Sequence, residues 1–436
     1  MADETKIACS FCGVEKSPQV PLISGNNGRI CEACVKLAHQ VVSSWGHAQR
    51  TQSLSPQIRT PQAIKKHLDD YVIGQEIAKE TLAIAVFNHY MRLVNSTSTS
   101  LGEDQDAVEL EKSNVLMVGP SGTGKTLIVR SLAKILGVPF VSADATSLTQ
   151  AGYVGDDVDS IIARLLDAAE GDVNQAQWGI VYIDEIDKIA RRGGGATNVR
   201  DVSGEGVQQA LLKLVEGTEQ KISKSGRRRE GGEDVIVDTR NVLFIVGGAF
   251  PGLDTLIGHR VNPKEASIGF HSTPNTQDPS VNELLENLLP DDLQSFGLIP
   301  EFIGRFPIAT FLQELDVDAL LKILTEPRNA LVKQYRQLFS YQGVELDITD
   351  DALKFIAEDA VERKTGARGL RSVLESVLHK TMFEMPGIPG LRKCVLDVDN
   401  GGESPRLAVS RVIDDVADER PLHMDEDSPV QAESGA

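Results

Sequence analysis

Four apolar residues, Val115 to Val118, run straight into Gly119-Pro120-Ser121-Gly122-Thr123-Gly124-Lys125-Thr126, and an apolar pattern of helical period follows at once through Leu127, Ile128, Leu132, Ile135 and Leu136. A short continuous apolar run suits a strand covered on both faces. Glycines at this spacing let backbone N–H groups turn inward around an anion, and the helix that starts there adds the positive end of its dipole. Strand, glycine-rich loop and helix in this order make a P-loop, with Lys125 placed to reach the β- and γ-phosphates and the Thr126 hydroxyl to ligate Mg²⁺. A chance glycine-rich turn would need neither flank, and both are present. The stretch from Gly119 to Leu127 is therefore expected to bind a nucleoside triphosphate.

Other segments extend this into an α/β layer. Pro139 to Asp144 has the look of a second strand, Asn241 to Gly248 of a fourth and Ile308 to Leu312 of a fifth. Between them, Gly179-Ile-Val-Tyr-Ile-Asp-Glu-Ile-Asp187 is an apolar strand that ends in adjacent acids. Downstream of a P-loop, Asp184 at such an end can hold Mg²⁺ through water and Glu185 can orient an attacking water; the alternative is a solvated acidic strand end. Beyond Leu315 helical spacing dominates (317–339, 350–363, 369–385), with short strands expected near Val344 to Ile348 and Cys394 to Val398. The isolated Cys394 reads as a buried small hydrophobe.

At 436 residues the chain exceeds one ordinary core, so two or three domains are expected. The net charge of −19 disfavours nucleic acid as the main ligand. No apolar run is long enough to span a membrane, and the acidic start Met-Ala-Asp-Glu has neither secretory nor transit character, so a cytoplasmic protein is expected. Four of the five cysteines lie in the first 34 residues as Cys9-x2-Cys12 and Cys31-x2-Cys34, eighteen residues apart. Two such knuckles can close a tetrahedron around Zn²⁺, and an all-Cys set leaves no open position, so the metal would be structural. Disulfides, disfavoured in a reducing compartment, and free buried thiols are the alternatives.

From Ser43 to Pro61 the composition suits a tether, and Asn95 to Ser113 suits a surface insertion. Gly152-Tyr153-Val154-Gly155, taken alone, is an ordinary turn with one buried aromatic. Two basic loops, Arg191 to Asn198 and Ser223 to Asp234, read as solvated charge runs or, on so acidic a chain, as a hint of an anionic partner. Ile268-Gly269-Phe270 sits in a polar loop, where large apolar residues either tuck back or dock elsewhere. The tail from Asp414 carries eight acids against one Arg and reads as disordered.

CxxC…CxxC, YVIGQ, GPSGTGKT, GYVG, VYIDEIDK, RDVSGEGVQQALLKLVEG, IGF, IPEFIGR and KTGARGLR together resemble the AAA+ ATPases and, more closely, the ClpX family of protein unfoldases, over nearly the whole chain. The resemblance implies an α/β AAA+ P-loop ATPase, a parallel sheet with flanking helices, plus a small mainly helical domain and an N-terminal four-Cys zinc-binding domain. Its expected divisions are a zinc-binding domain at 1–50, a linker at 51–62, a large ATPase domain at 63–314, a small domain at 315–413 and an acidic tail at 414–436. The implied cofactors are ATP, Mg²⁺ and one structural Zn²⁺ per subunit. The implied partners are a homohexameric ring, a ClpP-type peptidase, tagged or unfolded proteins, and adaptors met through the zinc domain, with no membrane and no nucleic acid.

Residue by residue, the resemblance makes Arg305 an arginine finger reaching a neighbouring subunit's site and Arg368 the sensor-2 arginine of its own site. It places Val72 and Ile73 along the adenine pocket. Gly152, Tyr153, Val154 and Gly155 become the axial loop that grips substrate, and the loop at 191–201 a second pore loop. Ile268, Gly269 and Phe270 become the tripeptide that docks on the peptidase. Two departures from the family pattern stand out. Arg227-Arg-Arg229 replaces the usual Arg-Lys-His of the pore entrance, and Gly247-Gly-Ala-Phe250 offers no polar residue for sensor 1. A nucleic-acid motor, a remodelling chaperone without peptidase and a nucleotide switch are the rival functions; the last lacks any Asn-Lys-x-Asp.

Overall fold

The computed structural model describes residues 8–17, 20–25, 28–38, 60–99, 110–149, 156–191, 202–223, 234–261, 279–399, 401 and 405–413. Its centre is a five-stranded sheet of β1 (Val115–Val118), β2 (Phe140–Asp144), β3 (Ile180–Asp184), β4 (Leu243–Gly248) and β5 (Ile308–Phe311), in the order β5-β1-β4-β3-β2. All four pairings are parallel. Side chains of a strand alternate between faces, and here the alternation feeds two cores. Leu116, Val118, Val181, Ile183, Phe244 and Val246 enter one; Val115, Met117, Ile180, Tyr182, Leu243 and Ile245 enter the other. Burial on both faces is why these strands read as unbroken apolar runs.

The second core is closed by α1 (Pro61–Asp69), α2 (Glu76–Thr99) and α3 (Lys125–Leu136). Thr60 caps α1 by accepting from the Ala63 N–H, with Pro61 in the first turn. Between α1 and α2 lies Tyr71 to Gln75, whose Gln75 has φ 60° and is buried. Its amide donates to the Gln313 carbonyl at 2.9 Å and accepts from the Gln313 N–H at 2.8 Å, which pins this loop to the chain leaving β5. On the other face, α4 (Ser160–Ala168) and α5 (Val202–Glu216) cover the first core.

A third core belongs to the small domain: α6 (Val317–Thr325), α7 (Leu331–Ser340), α8 (Asp350–Glu362) and α9 (Ala367–Glu384) pack around Leu320, Phe339, Ile356 and Leu374. They lie against β6 (Glu345–Ile348), β7 (Leu391–Asp399) and β8 (Arg406–Ile413), with β7 central, parallel to β6 and antiparallel to β8. Cys394 is buried in this core. At the N-terminus, Leu22–Ser24 and Arg29–Cys31 form an antiparallel hairpin.

Three segments differ from the sequence expectations. Helix α2 continues through Asn95 to Thr99, into the stretch expected to be an insertion, because nothing in its composition stops a helix already nucleated upstream. Glu219–Ser223 and Asp234–Asp238 pair as antiparallel strands on either side of the Arg227–Arg229 loop, which lies outside the described residues. Strand β8 has a half-exposed alternating pattern, weaker in sequence than the buried strands.

Replacing Gln75 with Ala removes the partner of the half-buried N–H and C=O of Gln313. The loss should be about 2–3 kcal/mol, lowering the apparent melting temperature by about 4–8 °C; a scanning thermal melt of both proteins measures it.

Candidate functional site

The four N-terminal thiols come together. Their sulfurs lie within 4.8 Å of one another, with Cys12 Sγ and Cys31 Sγ 3.6 Å apart. Zn–S bonds of about 2.3 Å in a tetrahedron place sulfurs about 3.8 Å apart, so the cluster fits zinc. The Cys31 N–H donates to Cys9 Sγ at 3.4 Å, a hydrogen bond that stabilises the negative charge of a thiolate ligand. Hydrogen bonds from the backbone of Cys12 first, with Phe11 and Cys31 adding to them against desolvation, hold the Cys9 thiol down at about 6. Cys34, beside Cys12 first and also desolvated near Cys31 and Cys9, is pushed up to about 12.

The second site is a cleft of about 840 Å³ outside the carboxyl ends of β1 and β3, closed from above by the small domain. The sheet order reverses around β1, and a crevice at such a switch point is where open α/β sheets take ligands. Ser121, Gly122, Gly124, Lys125, Thr126 and Leu127 line its floor. Gly119, Pro120 and Thr123 form the underside. The Lys125 ammonium donates to the carbonyls of Gly119 and Pro120 at 2.6 and 2.9 Å, and Thr123 donates to the Pro120 carbonyl. Burial pushes Lys125 below its ordinary value, with Asp184 and Asp187 pulling the other way. Leu127, in phase with the apolar pattern of α3, is half exposed on the cleft instead.

Asp184 and Glu185 border the same cleft. Thr126 donates to Asp184 Oδ2 at 2.9 Å, and the Glu185 N–H donates to Asp184 Oδ1 at 2.9 Å. Glu185 has φ 56°, a left-handed conformation that costs a residue with a Cβ and is held by its surroundings. From the small domain, Arg368 at the start of α9 donates to the Ser121 hydroxyl at 3.3 Å. Gly122 admits this contact: its φ is +81°, and a Cβ there would stand 2.6 Å from the Thr365 carbonyl oxygen. The loop and the small domain thus touch backbone to backbone, with the Ala367 N–H donating to the Gly122 carbonyl at 3.2 Å.

Other expected residues fall elsewhere. Among the described residues, Tyr71 lines the cleft, whereas Val72 is buried in the core and Ile73 is not on the lining. Arg305 lies away from its own cleft, its guanidinium on Glu216 Oε1 at 2.6 and 3.0 Å. Gly152 to Gly155, 192–201 and Ile268 to Phe270 lie outside the described residues. The cleft also takes in Asp187 and Arg371. Both had signals: Asp187 is the last acid of the strand-end cluster, and Arg371 follows Arg368 by three residues on one helix face. Arg371 donates to Gln334 Oε1 at 3.1 Å.

Residues 110–309 match the family model described as AAA domain (Cdc48 subfamily), 315–387 that of the C-terminal, D2-small domain, of ClpB protein, and 7–44 that of the ClpX C4-type zinc finger. A protein of Azotobacter vinelandii named ATP-dependent Clp protease ATP-binding subunit ClpX is 70% identical over 402 residues, 92% of this chain and 91% of its own length. The chain belongs to the ClpX family. The ClpX 3 subunit of Methylococcus capsulatus is 55% identical over 91% of the chain and 93% of its own length. The ClpX of Bacteroides thetaiotaomicron is 47% identical over 88% and 93%. The four-thiol cluster is therefore the C4 zinc finger of a ClpX-family protein, and the cleft opens between its AAA domain and the small domain that follows. Among the described residues no helix is long and apolar enough to cross a membrane.

Protons compete with zinc for the thiolates, so affinity must rise with pH. Near neutrality Cys34 carries a proton that zinc must displace, and below about pH 6 Cys9 carries one as well. Zinc release to a chromogenic chelator should steepen as pH falls through 6, from one zinc per chain at pH 8. Cys9→Ser should lower the bound metal under the same chelator.

Proposed function

We propose that the chain is the ATP-driven protein unfoldase and translocase of a Clp protease, working as a hexameric ring that feeds tagged proteins to a ClpP-type peptidase. The observation that carries this reading is the convergence of Lys125, Thr126, Asp184, Glu185 and Arg368, from two domains, on one cleft in a ClpX-family chain. Lys125 neutralises phosphate charge, Thr126 and Asp184 hold Mg²⁺, and Glu185 takes the proton of the attacking water. Bound there, Mg²⁺ spreads the negative charge of the leaving phosphates. Arg368 reports on the phosphates to the small domain.

Arg305, set apart from its own cleft and more than half exposed, serves the neighbouring subunit as a finger on the developing phosphate charge. Tyr153 and Val154 grip the translocating chain, since an aromatic and an aliphatic group hold any polypeptide without reading its sequence. Ile268 to Phe270 dock on the peptidase, and the zinc finger receives adaptors and some substrates. The positive charge of Arg227 to Arg229 attracts a substrate's C-terminal carboxylate.

Fluorescence loss from a stable, C-terminally tagged folded reporter tests this, with ATP, Mg²⁺ and an irreversible trap but no peptidase. Wild type should unfold the reporter. Glu185→Gln should bind ATP while turnover falls at least about 100-fold, and Tyr153→Ala should hydrolyse ATP without unfolding. Wild-type hydrolysis that is stimulated by DNA and unfolds none of several tagged reporters would instead mark a nucleic-acid motor. Deleting Ile268 to Phe270 should leave unfolding intact and abolish degradation by added ClpP; unaffected degradation would refute the docking role.

A further inference from the structure

The central strand of the sheet, β4, ends in Gly247 and Gly248, so it presents no side chain to the cleft between the P-loop and the acidic end of β3. The space is filled from the side. Tyr182 pairs with Ile245 across the ladder, but its ring runs toward the carboxyl end, and a Cβ on Gly247 would stand 2.3 Å from the Tyr182 hydroxyl and 3.0 Å from Cζ. The hydroxyl donates to Asp184 Oδ1 at 3.1 Å. That oxygen also accepts from the Glu185 N–H, whereas Oδ2 faces Thr126.

We propose that the Tyr182 hydroxyl supplies, from β3, the polar group that β4 lacks, and that it is a positioning residue for Asp184, holding Oδ1 so that Oδ2 stays turned toward Thr126 and the divalent cation. The inference rests on the reading that Asp184 serves Mg²⁺. A carboxylate on a single-residue strand end turns about its terminal torsion in a broad, two-fold well. Two donors on one oxygen, one from the backbone and one from a buried phenol, fix that torsion before any cation arrives. Pre-set orientation of this kind is what metal-binding carboxylates obtain from their outer partners, at about 10–100-fold in metal affinity. Gly247 is then required for a positive reason: any side chain there would occupy the place of the hydroxyl. A tyrosine serving only to fill the core would be replaced by phenylalanine without consequence, since the ring lies among Val115, Ile180 and Ile245 in the second core.

The test measures binding of a fluorescent ATP analogue to the full chain in EDTA and across a Mg²⁺ titration. Tyr182→Phe should bind the analogue in EDTA as wild type does, while the Mg²⁺ concentration for half-maximal tightening rises about tenfold. Adding Gly247→Ser to Tyr182→Phe returns a hydroxyl to the vacated space from β4 and should bring that concentration back toward wild type. Gly247→Ala, which pushes the Tyr182 ring and its hydroxyl together away from Asp184, should shift it in the same direction as Tyr182→Phe; it also covers the case in which Tyr182→Phe melts early. A wild-type Mg²⁺ midpoint in Tyr182→Phe and in Gly247→Ala, with Asp184→Asn raising it, overturns the inference alone. A midpoint unmoved by Asp184→Asn overturns the assignment of Asp184, and the inference with it.

Discussion

Parallel pairing of β4 with β1 on one side and β3 on the other decides where every group of the cleft can stand. Val118 lies opposite Gly248 and Ile183 opposite Val246, so the P-loop and the acidic pair leave the sheet side by side. Asp144 lies opposite Asp184 at the same edge. A slip of one residue would exchange the two faces of a strand, sending Tyr182 into the core that now holds Ile183 and turning Asp184 away from Thr126. Two dry cores of different composition penalise that slip along the whole strand. The chemistry at the edge therefore inherits its precision from apolar packing that never touches a ligand.

The same edge is where the two domains meet, and they meet at two places beside the cleft. Gly122 touches Thr365 and Ala367 through backbone atoms. Asp70, next to the cleft-lining Tyr71, accepts from the Arg328 N–H at 3.0 Å and from its guanidinium at 3.1 Å. Within the large domain, Gln75 clasps Gln313, on the chain that leads into α6. A ligand that moves the P-loop or the Tyr71 loop thus works directly on the small domain. Backbone contacts this close do not stretch; they hold or slide, which is how small shifts at a site become rotations of a packed unit.

Much of this was legible in the sequence because its signals were local. The P-loop, the DE pair and the cysteine knuckles are runs of a few residues, and the five core strands announce themselves as apolar runs bounded by turn residues. What was not legible depended on distance. Tyr71, rather than Val72, faces the cleft because α1 and α2 turn that loop about Gln75, and Gln75 is set by Gln313, 238 residues away. Gly247 looked like a missing polar group, and the reason lies on the neighbouring strand. Strand β8 and the strands at 219–223 and 234–238 are only partly buried, so their periodicity is shallow.

Arg305 shows how a residue can be fixed and available at once. Its turn is tied down by a buried side chain: Asn114 donates to the Arg305 carbonyl at 3.0 Å and accepts from the Phe244 N–H at 3.1 Å, joining the turn to β4 itself. The end of α5 beside it is held by Lys112, whose ammonium donates to the carbonyls of Val215 and Thr239 at 3.0 Å, a cation at the negative end of a helix. The guanidinium, by contrast, rests on Glu216 with both side chains well exposed to solvent. Exposed pairs of this kind contribute about 0–1 kcal/mol. Leaving Glu216 therefore costs little, while the backbone that aims the arginine stays in place. The finger role proposed for Arg305 would draw on that division: a base anchored to the strand that also borders its own cleft, and a tip with nothing strong to give up.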